Sequence, residues 1–436
     1  SRADWRRRGA RAIYRSLFLQ HLAGLTAAGD PEPEACLALA RWAEDKGLPG
    51  LYGLALRWTL MLDGEQAEAR RRLEQLRTQL ARLPSRPALN RQLRDDMGDG
   101  FRVLETDHFR IAYETSTAFA RSTGRLLERV HDAFLRFFRA RFFEPVPATD
   151  RLEVVLFATR SAYRRFVAQF GPAFRNTAGI YSSKHHRSYF YDATSDPRRA
   201  RAKQRIADAR AELERLEDDV LADAHPEDRL RLESSDGTTR QVSGREARAL
   251  VARQKRQLRR RASRVERRFD RLNVARAAHE ITHHLAYAVG VHSRHHANPR
   301  WLVEGLAMYF EATVSGRWVG PGRIDVHRLK RVQRRSRGGT WFKVARLVST
   351  DAPFMDGGEI TAEAYDAAWG LFFYLARERH DRLFDYLANL SLRVSSAPYG
   401  PAERRRDLER YFGPLRPLER AWLDYLERLP LPQHRG

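Results

Sequence analysis

The chain reads as α+β: a small mixed sheet with helical segments before and after it, and an inserted antiparallel coiled-coil hairpin. Three observations lead there. The first hundred residues keep a helical period, the period drops to that of strands from Phe101, and two heptad-patterned arms face each other between about Ser195 and Arg271. A chain of 436 residues exceeds one ordinary core, so several units are expected, with limits at 1–100, 101–194, 195–271, 272–322 and 323–436.

In segment 1–100 the run from Pro31 to Leu76 alternates apolar and polar faces at helical spacing, broken at Gly47-Leu48-Pro49-Gly50 and Asp63-Gly64. This is similar to tetratricopeptide-type hairpins, serving as packing scaffold or as a partner-binding surface. Phe109–Glu114 and Leu152–Ala158 read as strands on either side of a helix from about Thr117 to Arg141, which ends at Phe142-Phe143-Glu144-Pro145. A second helix, roughly Arg160 to Phe170, leads into a hairpin of Ala178–Ser183 and Ser188–Asp192, turning at Lys184–Arg187. In the insertion, Ile206, Leu213, Leu216 and Val220 recur on one arm, and Leu258, Val265, Phe269 and Leu272 on the other, with SSDGTTRQVSG at the tip. Arms of about 45–55 Å are expected at 1.5 Å per residue. No Gly or Pro interrupts Arg245–Val289, so the return arm can run straight into the next helix. From Arg323 the pattern is all-helical.

The formal net charge is +24, carried almost entirely by Arg. Such a field attracts acidic or polyanionic partners, with the Arg-dominated return arm as the candidate surface, though a charge run is also what a solvated helix face looks like. Nucleic acid is the least expected of these partners, because no aromatic residues interleave with a basic strand face. The single cysteine, Cys36, excludes an internal disulfide framework and a thiolate metal cluster, and reads as a packed small hydrophobe. No apolar run reaches the length of a membrane span; the richest, Leu48–Leu62, contains Pro49 and Arg57 and reads as buried helix. The chain opens on Ser1 without Met, so an exported protein with a trimmed leader is one expectation, and the compartment stays open.

The most informative stretch is His279-Glu280-Ile281-Thr282-His283 within a helix of about Ala275–Val289. Histidines four apart share a helix face, so both imidazoles can reach one metal ion, and the carboxylate between them addresses the open coordination position. After 20 intervening residues, Glu304 sits on the first turn of a second helix, about Trp301–Val314, among Trp301, Leu302, Leu306 and Phe310. A carboxylate in that setting is costly to desolvate without a partner, and a dication is a good one. His279, His283 and Glu304 are therefore the expected ligands of one Zn2+ ion. Glu311, seven residues on and on the same face, is a candidate outer partner for a ligand histidine. His284, His292, His295 and His296 crowd the connection and read as loop residues rather than ligands, with one of them able to contact substrate or misbind metal.

HEITHH followed by NPRWLVEGLAMYFE resembles the gluzincin metallopeptidases, whose third ligand is a Glu in a W-L-x-E-G-x-A-x-Y type helix. More narrowly it resembles a bacterial gluzincin-like family catalogued only as a domain of unknown function. The likeness extends to LETDHFRIAYE, RLEVVLFATRSAYRRF, AGIYSSKHHRSYFYD, EAYDAAWGLFFYLARER and LERAWLDYLERLP, and so covers most of the chain from Phe101 apart from the insertion. It implies a zincin-like catalytic unit and places Tyr365 about where many gluzincins carry a tyrosine facing the metal. The alternative for Tyr365 is a core residue with its hydroxyl at the surface. It also implies that Gly179, Ile180, Tyr181 and Ser182 form an edge strand that pairs with substrate backbone, the alternative being an ordinary covered edge.

The expected function is zinc-dependent peptide hydrolysis, with a metal-activated water and Glu280 as general base. The main alternative is a non-catalytic or gated adaptor, which binds a protein or polyanion through the N-terminal helices and the basic arm. Substrate, endo- or exo-action and oligomeric state are not legible.

Overall fold

The computed structural model describes residues 32–139, 144–171, 177–233, 239–293, 297–314, 316–393 and 399–431, with Phe174 and scattered positions between 13 and 25. Four helices open this part: α1 (Pro33–Asp45), α2 (Pro49–Leu62), α3 (Ala67–Leu80) and α4 (Pro87–Met97). Three of them begin with Pro in the first turn, where its missing N–H costs nothing. Helices α1 to α3 bury their apolar faces on one another around Leu37, Ala40, Leu56, Trp58 and Leu73. α4 instead lies on the sheet, with Leu93 packed among Phe101, Ala112 and Val155.

The sheet follows: β1 (Arg102–Glu105), β2 (Phe109–Tyr113), β3 (Leu152–Phe157), β4 (Gly179–Ser182) and β5 (Arg187–Tyr191), in the order β1-β2-β3-β5-β4. The central strands β2, β3 and β5 are parallel, and the two edge strands are antiparallel to their neighbours. Both faces are covered, which is why β2 and β3 read as nearly continuous apolar runs. On one face Ile111, Val154, Leu156 and Phe190 meet α5 (Thr117–Arg139) and the end of the longest helix. On the other, Val155, Ile180 and Tyr189 meet α4 and α6 (Arg160–Val167). Strand β1 was not expected; its four residues are too few and too polar to show a period.

The insertion departs from a plain helical hairpin. α7 (Pro197–Leu216) has 20 residues and spans about 30 Å, well short of the expected arm. It passes into a π turn, Glu217–Leu221, whose extra residue rotates the heptad register, so Val220 is exposed and Leu221 is buried in its place. A two-stranded antiparallel ribbon follows, β6 (Arg229–Glu233) and β7 (Thr239–Ser243). The expected tip at Ser234–Thr238 lies outside the described residues. The return arm is the first part of α8 (Gly244–Ala288), 45 unbroken residues that start with a reciprocal cap between Ser243 and Glu246.

Helix α9 (Arg300–Glu311) ends three residues earlier than expected, because Ala312 turns extended and Thr313–Val314 (β8) pairs with Arg317–Trp318 (β9). The remainder is helical: α10 (Val326–Arg337), α11 (Val344–Ser349), α12 (Gly358–Glu378), α13 (His380–Leu392), α14 (Pro401–Phe412) and α15 (Leu415–Arg428). One apolar core runs from Phe109 in β2 through α8 and α9 to Leu426 in α15. Among the described residues no helix is long and apolar enough to cross a membrane.

Candidate metal centre

The stretch Ala277–Ala286 of α8 is almost wholly buried, whereas the arm before it buries only Gly244, Ala247, Val251 and Phe269, so the polar residues of that stretch are held away from water. α9 packs across it. Gly305 permits this arrangement: a Cβ there would stand 2.7 Å from Phe372 Cβ and 2.8 Å from the Ala368 carbonyl, so α9 and α12 touch at that point. Glu304, beside that glycine, is thereby driven toward α8.

Three donor atoms converge. His279 Nε2 and His283 Nε2 are 3.1 Å apart, and Glu304 Oε2 is 3.3 Å from the first and 3.6 Å from the second. Metal–nitrogen and metal–oxygen bonds of about 2.0–2.1 Å at tetrahedral angles require donor separations of roughly 3.3 Å. The residues present fit one four-coordinate dication with a position left over. The three side chains also pair electrostatically with one another. Burial opposes charge on both Glu304 and His279, yet hydrogen bonds between them and from His283 hold the Glu304 carboxyl well below its usual range. Glu304 and Glu311 likewise raise the His279 imidazole well above its own.

The tautomer that presents Nε2 is fixed from behind. His279 Nδ1–H donates to Glu311 Oε2 at 2.8 Å, and Glu311 Oε1 accepts from Arg328 Nη2 at 2.7 Å. Burial would raise the Glu311 carboxyl, but Arg328 and His279 bring it down to about 2. Arg328 also reaches Asp366, which Arg331 grips through both carboxylate oxygens at 2.6 and 2.7 Å. On the other side, Arg300 Nη2 lies 3.5 Å from Glu304 Oε1 and leaves Oε2 to the histidines.

Glu280 points to the sheet side. Strand β4 passes directly over it, and a Cβ on Gly179 would stand 2.7 Å from Glu280 Cγ and Oε1. Burial raises the Glu280 carboxyl against the pull of His279 and His283. β4 is the edge of the sheet; Gly179 and Ile180 are buried, Tyr181 and Ser182 half-buried. Tyr181 is stacked on Tyr287 at 5.2 Å and sits 4.9 Å from His284. The Tyr365 ring packs edge-on against Phe354. Burial, then the Glu304 charge, raise its phenol, and Arg300, which is also its side-chain hydrogen-bond partner, opposes them.

His284 is fully buried within α8, with its Nδ1 3.2 Å from Ser188 Oγ, and His292 is buried against Tyr287. His295 and His296 lie outside the described residues. A second group of donors, His108, Glu128 and His131, is a fastening instead of a metal site. Its two imidazoles are stacked 3.8 Å apart and 20° from parallel, so their lone pairs do not converge. Glu128 is also taken up by Thr106 and by the His108 backbone and ring.

Sequence reasoning missed Arg300, Arg328 and Asp366, and the contact of Gly179 with Glu280. One Arg among so many carries no signal of its own, and Gly179 in a strand hints at a close approach without naming what approaches.

Residues 273–396, less than a third of the chain, match a family described as a protein of unknown function (DUF1570). The matched segment contains the end of α8 that carries His279 and His283, all of α9 and α12. No curated protein and no solved structure matches the chain.

Proposed function

We propose that this chain is a zinc-dependent peptidase of the gluzincin type. The observation that carries the proposal is the set of three buried donors at tetrahedral spacing, with the Glu280 carboxyl next to them beneath an edge strand. A bound zinc ion supplies Lewis-acid polarisation of a carbonyl and acidifies water. The chain's own residues do the rest. His279, His283 and Glu304 hold the ion, and Glu311 and Arg300 hold two of those ligands in orientation. Glu280 takes the proton of the attacking water and hands it to the leaving amine. Its buried setting, which raises the carboxyl, suits a group that must both accept and release a proton. The outer edge of β4 offers backbone groups to an extended substrate, which gives affinity with little side-chain selectivity. The Tyr365 hydroxyl donates to the oxyanion that forms at the substrate carbonyl.

The test is digestion of a diverse peptide mixture by the wild type and by Glu280→Gln, each supplied with zinc and read by mass spectrometry. Cleavage by the wild type alone, with equal zinc content in both, is the expected result. Equal cleavage by both, or by neither, overturns the proposal and leaves the adaptor role.

A further inference from the structure

Along α8, between the tip ribbon and the metal centre, six arginines recur at spacings of three and four: Arg253, Arg256, Arg260, Arg264, Arg267 and Arg271. At 100° per residue they fall within a sector of about 80°, and at 1.5 Å per residue they span about 27 Å. All six are exposed, and none makes an ion pair with any described residue. The opposite face carries Val251, Leu258, Val265 and Phe269 and lies against α7 and the arm's small core. On the flank toward α7, Glu266 binds Arg199 and Lys203, and Lys255 binds Glu217. The arm therefore sorts its charges by face, which a bias toward Arg in composition does not do. No acidic side chain enters the outer sector.

We propose that this stripe is a docking surface for the phosphate backbone of double-stranded nucleic acid. Guanidinium groups pair with phosphate oxygens in a planar, two-pronged geometry, and every member of the stripe is Arg. A lone helix of about 10–12 Å diameter fits a major groove about 12 Å wide, and α7, behind α8, does not stand in the way. The 27 Å stripe matches about eight base pairs at 3.4 Å each. The neighbouring exposed residues are Gln254, Gln257 and Ser263 together with the further arginines Arg259, Arg261 and Arg268, which widen the basic face, and no large apolar side chain is among them. An anionic membrane surface would call for large apolar or aromatic residues beside the charges, and a protein partner for an apolar anchor; the sector has neither. Stacking on single strands needs aromatic rings, whereas a duplex backbone needs only charge.

The experiment is fluorescence anisotropy of the full chain with a labelled 20-base-pair duplex of arbitrary sequence, over a salt series. Three proteins are compared: wild type, Arg256→Gln/Arg260→Gln/Arg264→Gln, and the control Arg334→Gln/Arg337→Gln/Arg405→Gln. The control loses the same charge from exposed positions elsewhere. Six phosphate contacts give a log–log salt slope of about −5, or a loss of roughly 10³-fold in affinity between 50 and 200 mM salt. The stripe variant, left with three, should fall only about 40-fold over that range, and the control should behave as wild type. Equal effects of the two variants would assign binding to net charge and overturn the proposal. So would absence of duplex binding at 50 mM salt, or retention by anionic phospholipid vesicles and not by duplex.

Discussion

Glu311→Gln is the substitution that most directly examines how the metal centre is built. In the wild type one carboxylate accepts from two donors on opposite sides, His279 Nδ1–H at 2.8 Å and Arg328 Nη2 at 2.7 Å. An amide of the same shape has one acceptor oxygen and one NH2, so it can satisfy only one of these donors and turns a donor toward the other. If its oxygen stays with Arg328, His279 loses the partner that fixes its tautomer and ring plane. Outer partners of this kind contribute about 10–100-fold to metal affinity, equivalent to about 1.4–2.7 kcal/mol. A buried donor left unpaired adds about 1–3 kcal/mol of destabilisation to the fold. Competition with a chromogenic chelator at fixed pH measures the first quantity, and thermal unfolding of the apo protein the second. Zinc affinity within twofold of wild type, in a variant whose apo stability has fallen, would refute the reasoning. It would mean that packing alone orients His279.

Two further outcomes follow from single contacts. Gly179→Val places branched carbon where only 2.7 Å separates the Cβ position from Glu280, so peptide cleavage should fall at least about tenfold through displacement of the base, with zinc content unchanged by metal analysis. Arg57→Met removes a fully buried guanidinium that donates to the Gly290 carbonyl and, at 2.8 Å, to Ser391 Oγ; thermal unfolding should show a loss of about 2–4 kcal/mol, and an unchanged melt would exclude this anchor.

The parts legible in the sequence are those set by local periodicity. Absence of Gly and Pro from Arg245 to Val289 corresponds to one continuous helix, and the four-residue spacing of His279 and His283 dictates a shared face wherever that helix lies. What periodicity does not encode is which helix meets which. Arg57 looked like a blemish in an apolar helix, yet it ties α2 to the end of α8 and to α13, partners 233 and 334 residues away. The tip ribbon did carry an alternating signal in Leu230, Leu232 and Val242, but five residues of period two are easily absorbed into a longer helical expectation. The π turn that exchanges Val220 for Leu221 is a one-residue event, below the resolution of any heptad count.

The described charges behind His279 alternate in sign. His279 faces Glu311, Glu311 faces Arg328, Arg328 faces Asp366, and Asp366 is closed off by Arg331. An isolated ion at any of these positions would cost several kcal/mol to bury, and alternation of sign is what makes the series tolerable in an otherwise apolar core. The series also sets a mechanical constraint. Its far end, Asp366, is the neighbour of Tyr365 on α12, and its near end is the candidate ligand ring of His279 on α8. One brace through α10 therefore ties His279 to the helix that carries Tyr365. Arg328 touches neither the three ligand side chains nor Glu280, yet it is the only described residue that bonds to both ends of the bracing pair, Glu311 and Asp366.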